Sequence, residues 1–186
     1  MDAEHRSIQD VTFRFDERVQ RGDFPAETVS GTVKYRQPHA LRVDQKGPNA
    51  QRLISDGATF WLYSAAQKQE VTGDWPTWVQ QSHFPLPLLE WAGTLSPDHW
   101  KSRYTVLFGG YRAPEYELHF KPLLAGDAPL TLWISEQTFL PVRGAMQLDG
   151  TSIQVTLHDI RLNSGLAASV FTSRVPAGTE RIPLHF

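Results

Sequence analysis

The most constraining feature of this chain is a period of two that is broken once. Large apolar residues recur at every second position over the first seventy residues and again from Tyr104 to Leu162, with a non-alternating stretch between. In VTFRFDERV, Val11, Phe13, Phe15 and Val19 fall on one side, with Thr12, Arg14 and Asp16 opposite. Successive side chains of a strand point to opposite faces, so this is a strand with one wet face. ETVSGTVKYRQ continues with Val29, Gly31, Val33 and Tyr35, and HALRVDQ with Leu41 and Val43 after Pro38. RGDFPAE and KGPNA supply turn chemistry between them. QRLISDGATFWLYSAAQKQEV holds two more strands around Asp56-Gly57, a hairpin signal. These two are unusual: Leu53-Ile54 and Phe60–Tyr63 put large side chains on both faces, whereas a half-buried strand needs apolar residues on one.

The break is TGDWPTWVQQSHFPLPLLEWAGTLSPDHW, with four of the six tryptophans and four prolines. It predicts short helices near 75–82, 87–92 and 97–101. Pro76, Pro87 and Pro97 suit first-turn positions and Ser96 an N-cap. Alternation then returns in YTVLF, YELHF, LTLWI, VRGAMQL and SIQVTLHDIRL. FGGYRAPE, LLAGDAP, SEQT and DGTS have the length of hairpin joints. The tail, LAASVFTSRVPAGTERI, predicts a short turn or helix before a final edge segment. The expected architecture is mainly β with a small α component. One antiparallel meander of about ten or eleven strands is too large to lie flat, so it curls and has a concave apolar face. The aromatic helical insert, residues 74–101, is the candidate to cover that face. A single domain spans the 186 residues.

Charge and composition exclude several classes. A net charge of −2 gives no basic field for nucleic acid or anionic membrane. No apolar run approaches the roughly 18 residues of a membrane span. The polar start MDAEHRSIQD carries no signal peptide, so the protein is expected to be cytoplasmic or to begin after a cleavage site. Without cysteine there is no disulfide, thiolate nucleophile or cysteine-based zinc site. The seven histidines show no metal-ligand spacing. His158-Asp159 is expected to point to opposite faces of a strand, Asp56 to be a turn residue, and Gly109-Gly110 a turn. No nucleophile elbow is present. The expectation is no enzyme, no metal and no cofactor.

The order and spacing of these segments resemble the LolA-type outer-membrane lipoprotein carriers. GTVKYRQPHALRVD is similar to that family's G-x-L-x-x-x-R-P-x-x-x-R pattern. ISDGATFWLYSAAQKQEV is similar to its D-G-x-x-L-W-x-Y segment, and LPVRGAMQLDGTSIQVTLHDIRLNSGLAASVFTSRVPAGTERI to its C-terminal pattern. The resemblance implies a periplasmic protein whose incomplete barrel and helical lid enclose acyl chains of a lipoprotein in transit. It also implies partners in a membrane donor complex and an outer-membrane acceptor. The walls of that cavity would be Phe13, Phe15, Val33, Tyr35, Leu41, Val43, Leu53, Phe60, Leu62, Leu118, Phe120, Leu132, Ile134 and Val155. The lid would contribute Trp78, Phe84, Leu86, Leu88, Leu89 and Trp91. The family's lid-holding arginine precedes a proline; here Gln37 precedes Pro38. Arg36, displaced by one residue and hence by one face, and Arg42 are the candidates for that latch.

Two readings of the tryptophan-rich break remain open at this point. Ordinary core helices under a sheet predict a filled interior; a proline-segmented lid predicts an apolar void or bound lipid. The function classes are likewise two. One is a carrier for lipoproteins or other amphiphiles such as glycolipids or long polyketides. The other is a non-transporting sensor or interaction domain of the cell envelope. Magnitude limits the first. At about 0.8 kcal/mol per methylene, complete burial of two or three long acyl chains would total roughly 25–35 kcal/mol. That exceeds the practical ceiling near 18–21 kcal/mol, so a carrier's cavity must fit loosely and discriminate weakly among acyl chains.

Overall fold

The computed structural model describes residues 8–47, 49–81, 101–124 and 128–184. The first alternating block forms β1 (Asp10–Arg21), β2 (Glu27–Arg36), β3 (Ala40–Lys46), β4 (Gln51–Ser55), β5 (Thr59–Ser64) and β6 (Gln69–Asp74). Helix α1 (Trp75–Gln81) follows. The second block forms β7 (Tyr104–Arg112), β8 (Glu115–Pro122), β9 (Leu130–Ser135), β10 (Pro141–Leu148) and β11 (Thr151–Leu162). A short 3-10 turn (Ala168–Phe171) and β12 (Glu180–Pro183) close the chain.

The strands form a 12-stranded sheet in the order β12-β6-β5-β4-β3-β2-β1-β11-β10-β9-β8-β7. It is open, with edges at β12 and β7. The plain meander expected from consecutive hairpins is corrected at two places. β1 lies beside β11, and β12 pairs parallel with β6. Parallel neighbours cannot be joined by a tight hairpin turn; residues 75–179 separate these two in the chain, and the 3-10 turn and its flanks lead from β11 to β12. Of the expected helices, the first is present as α1; those at 87–92 and 97–101 lie largely or wholly outside the described residues.

The chain divides into two compact units. The first comprises Met1–Arg14, Ser30–Thr94 and Asp159–Phe186, the second Phe15–Val29 and Leu95–His158. In the first, the β2-to-β6 register aligns Val33 with Val43, Val43 with Leu53, Leu53 with Leu62 and Leu62 with Val71. Tyr35, Leu41, Ser55 and Phe60 make the adjoining row on the same face. The opposite face carries Arg36, Ala40, Ile54 and Trp61. At the β4–β5 joint the Asp56 side chain accepts from the N–H groups of Ala58 (2.9 Å) and Thr59 (2.8 Å), the turn role expected of it. Gly57 takes the left-handed backbone there, with φ of 99°.

In the second unit, Phe108, Leu118, Leu132, Gly144 and Val155 align across β7 to β11 on one face. Gly109-Gly110, expected as a turn, instead lies inside β7. The pairing jumps from Phe108–Leu118 to Gly110–Glu117, so an extra residue is accommodated as a bulge. A side chain at Gly109 would collide with the His119 ring, whose Nε2 lies 2.3 Å from its Cβ position. The chain reverses beyond it, at Ala113-Pro114.

The opposite-face expectation for His158 and Asp159 is also corrected. His158 Nε2 meets Asp16 at 2.8 Å, and Asp159 pairs with Arg14 at 2.5 Å. Asp16 and Arg14 are two apart on β1 and share a face. Asp159 has φ of 52°, a left-handed residue that interrupts the alternation. Each of the two therefore meets its own partner on β1.

Candidate functional site

In the first unit the apolar face is built by alternation and then partly roofed. Phe13, Val33, Tyr35, Leu41, Leu53 and Phe60 are buried, and Val43 and Leu62 half-buried. Trp78 of α1 stacks on Phe60 with ring centroids 4.9 Å apart, and Trp75 lies 5.4 Å from Trp78. Asp74 fixes where α1 begins. Its carboxylate accepts from the Thr77 N–H at 2.8 Å and the Thr77 hydroxyl at 2.5 Å, the hydrogen bonding of an N-cap. These bonds hold the Asp74 carboxyl below its ordinary range. Tyr35 donates its hydroxyl to the Pro38 carbonyl at 2.7 Å. The expected lid residues Phe84, Leu86, Leu88, Leu89 and Trp91 lie outside the described residues.

The opposite face of the same strands is covered by the C-terminal segment. Ala40, Ile54 and Phe171 form a buried cluster, with Trp61, Leu166 and Val170 packed around it. Both candidate latch arginines address this segment. Arg36 Nη1 donates to the Leu166 carbonyl at 3.1 Å, and its guanidinium stacks 5.2 Å from the Phe171 ring. Arg42 Nη1 donates to the Val170 carbonyl at 3.2 Å while its Nε binds Asp44 at 2.6 Å. Burial alone would raise the Asp44 carboxyl; hydrogen bonds and charge from Arg42 and Arg52 outweigh it and hold Asp44 below the usual range.

Two buried carboxylates tie the segment down. Asp10 accepts from Ser164 N–H (2.7 Å), Ser164 Oγ (2.8 Å), Gly165 N–H (2.8 Å) and Leu166 N–H (3.1 Å). Glu70, 1 % exposed, takes the Ser173 hydroxyl and an ion pair from Arg181 at 3.2 Å. Sequence reasoning missed both, because their partners lie more than a hundred residues away.

In the second unit, Phe15, Phe120, Leu132 and Val155 are buried and Leu118 and Ile134 half-buried on one face. Toward the β7 edge that face opens: Phe108 is 68 % exposed, and Val106 and Tyr111 are exposed beside it. The reverse face is polar. Arg143 stacks on Trp133 at 4.5 Å and pairs with Glu115, and Glu117 accepts from Trp133 Nε1 at 3.2 Å. A shallow depression lined by Arg18, Gln20, Ser152 and Gln154 lies on β1 and β11.

Of the two apolar sheet faces, one is stacked against tryptophan and one is exposed along an edge. Residues 6–174 match the family described as outer membrane lipoprotein carrier protein LolA. The chain belongs to the LolA family. An outer-membrane lipoprotein carrier protein of Pasteurella multocida is 28 % identical over 172 residues, 92 % of this chain and 76 % of the relative. Among solved structures, an uncharacterized conserved protein of Thermus thermophilus shares the fold with a TM-score of 0.64. It has 12 % identity, covering 97 % of this chain and 94 % of that one. The MucA/MucB complex of Pseudomonas aeruginosa matches with a TM-score of 0.50 and 14 % identity, over 93 % of this chain and 58 % of that one.

Proposed function

We propose that this protein is a periplasmic carrier that holds acyl chains of lipoproteins or related amphiphiles on its apolar faces and passes them between envelope components. Its chemistry is binding and release without covalent catalysis. The observation that carries the reading is the row of large apolar side chains on one face of β7–β9, left exposed at Val106, Phe108 and Tyr111. Water-facing apolar area of this kind marks a binding surface. Membership of the LolA family supports the cargo class.

The test is direct. Protein purified without detergent is extracted and analysed by mass spectrometry, then delipidated and titrated with a fluorescent fatty acid. Saturable binding is expected, and Leu62→Glu is expected to weaken it at least tenfold, because burying an unpaired carboxylate against the chain is costly. Unchanged binding by a folded Leu62→Glu protein removes that face from the site.

A second reading, an interaction domain that senses rather than transports, is supported by the fold shared with MucB, described in complex with MucA. It predicts no lipid in the extract and no saturable fatty-acid binding.

A further inference from the structure

One carboxylate stands on an apolar wall. β1 alternates Phe15, Glu17 and Val19 on one side, so Glu17 shares a face with the buried Phe15. The Gly22 N–H donates to the Gly150 carbonyl at 3.0 Å, which sets β1 against β11. Arg18 and Gln20 accordingly meet Ser152 and Gln154 on the reverse face. That register puts Glu17 across from Val155. From Val155 the same row runs through Gly144, Leu132 and Leu118 to the exposed Phe108. Six strands at about 4.8 Å spacing make this row roughly 24 Å long, with a carboxylate at one end and an exposed phenylalanine at the other.

Glu17 is half-buried and makes no hydrogen bond or ion pair among the described residues. Burial pushes its carboxyl above the ordinary glutamate range. The other ionisable groups of matching parity on β1, β11 and the start of β2 are Arg21 and Glu27, both exposed at the strand ends. Asp159 lies beyond the bulge, paired with Arg14. A lone carboxylate is an expensive group to place among Phe15, Val155 and Leu157 unless a partner arrives to satisfy it.

Resting on the carrier reading above, we infer that Glu17 is the head-group subsite of the apolar wall and selects amphiphiles whose head carries a protonated amine, their tails lying along the Val155–Phe108 row. An ammonium supplies both the charge and the donors that Glu17 lacks, while a fatty-acid carboxylate would meet like charge.

Isothermal titration at pH 8 compares dodecylamine with dodecanoate on the delipidated full chain, Glu17→Gln and Glu17→Leu, each verified as folded by circular dichroism. The wild type is expected to bind the amine on the order of tenfold more tightly than the acid, the scale of one charge-assisted hydrogen bond. Both variants are expected to lose that preference and to bind dodecanoate at least as well as the wild type. Equal affinities in the wild type, or a preference that survives both substitutions, overturn the Glu17 assignment and leave the carrier reading standing. Binding of neither ligand overturns both.

Discussion

Asp10 shows how much one residue can hold. Its carboxylate gathers four donors from Ser164, Gly165 and Leu166, and its carbonyl accepts from the Asn163 N–H at 2.8 Å. Burial by itself would raise this carboxyl. The bond from the Ser164 hydroxyl and the three backbone N–H bonds outweigh burial and lower it instead. A carboxyl lowered in the folded state stabilises fully above its unfolded value near 4, and that contribution disappears as the pH falls through the folded value. Asp10→Asn is therefore expected to cost about 1–3 kcal/mol at pH 7, read from urea unfolding midpoints. The gap to the wild type should shrink as the pH is lowered below about 4. A gap of constant size from pH 7 to pH 3 would show that ionisation of Asp10 contributes nothing. Sequence alone does not mark Asp10 out, since a polar residue opening a strand is ordinary and the donors arrive 154 positions later. Glu17 is different. Its place between Phe15 and Val19 is visible in the alternation of VTFRFDERV.

At the scale of elements, the strands follow from the period of two, and the start of α1 from Pro76 within a non-alternating run. What the period does not encode is an irregularity inside a strand. Gly109-Gly110 carries the composition of a turn, yet the ladder of β7 with β8 continues past it to Arg112, because the flanking residues still pair and a bulge absorbs the extra one. Close approach between elements is equally invisible to local pattern. Gly73 of β6 sits where an added Cβ would lie 2.9 Å from the Phe60 ring and 3.2 Å from the Leu184 carbonyl. Gly73→Ala is expected to force β5, β6 and the residues after β12 apart, costing about 1–3 kcal/mol. For a chain of this length that lowers the melting temperature by roughly 2–4 °C per kcal/mol. An unchanged melting temperature would mean that Phe60 moves aside without cost.

Across the whole molecule, the two-faced strands β4 and β5 find their explanation in the first unit. One face meets α1 through Phe60 and Trp78; the other meets the C-terminal segment through Ile54, Trp61 and Phe171. That segment is structural as well as covering. A chain ending at Leu162 is expected to lose cooperative unfolding and to aggregate, as judged by thermal melting and size-exclusion chromatography. Removing a buried phenylalanine such as Phe171 alone costs about 3–5 kcal/mol, against a total stability of about 5–15 kcal/mol. A shortened chain that melts cooperatively within a few degrees of the full one would refute this. The sequence by itself determined where the regularly alternating strands run, which of their residues share a face, and that Leu53–Ile54 and Phe60–Tyr63 have two faces to satisfy, because side-chain alternation is a property of the local backbone; it did not determine the irregular points at Gly109-Gly110 and Asp159. Only the tertiary structure decided that β1 lies beside β11, that β12 runs parallel to β6, and that Arg36 and Arg42 bond the C-terminal carbonyls. Those choices rest on hydrogen bonds and packing between residues far apart in the chain, and no local period carries information about which distant partner will arrive.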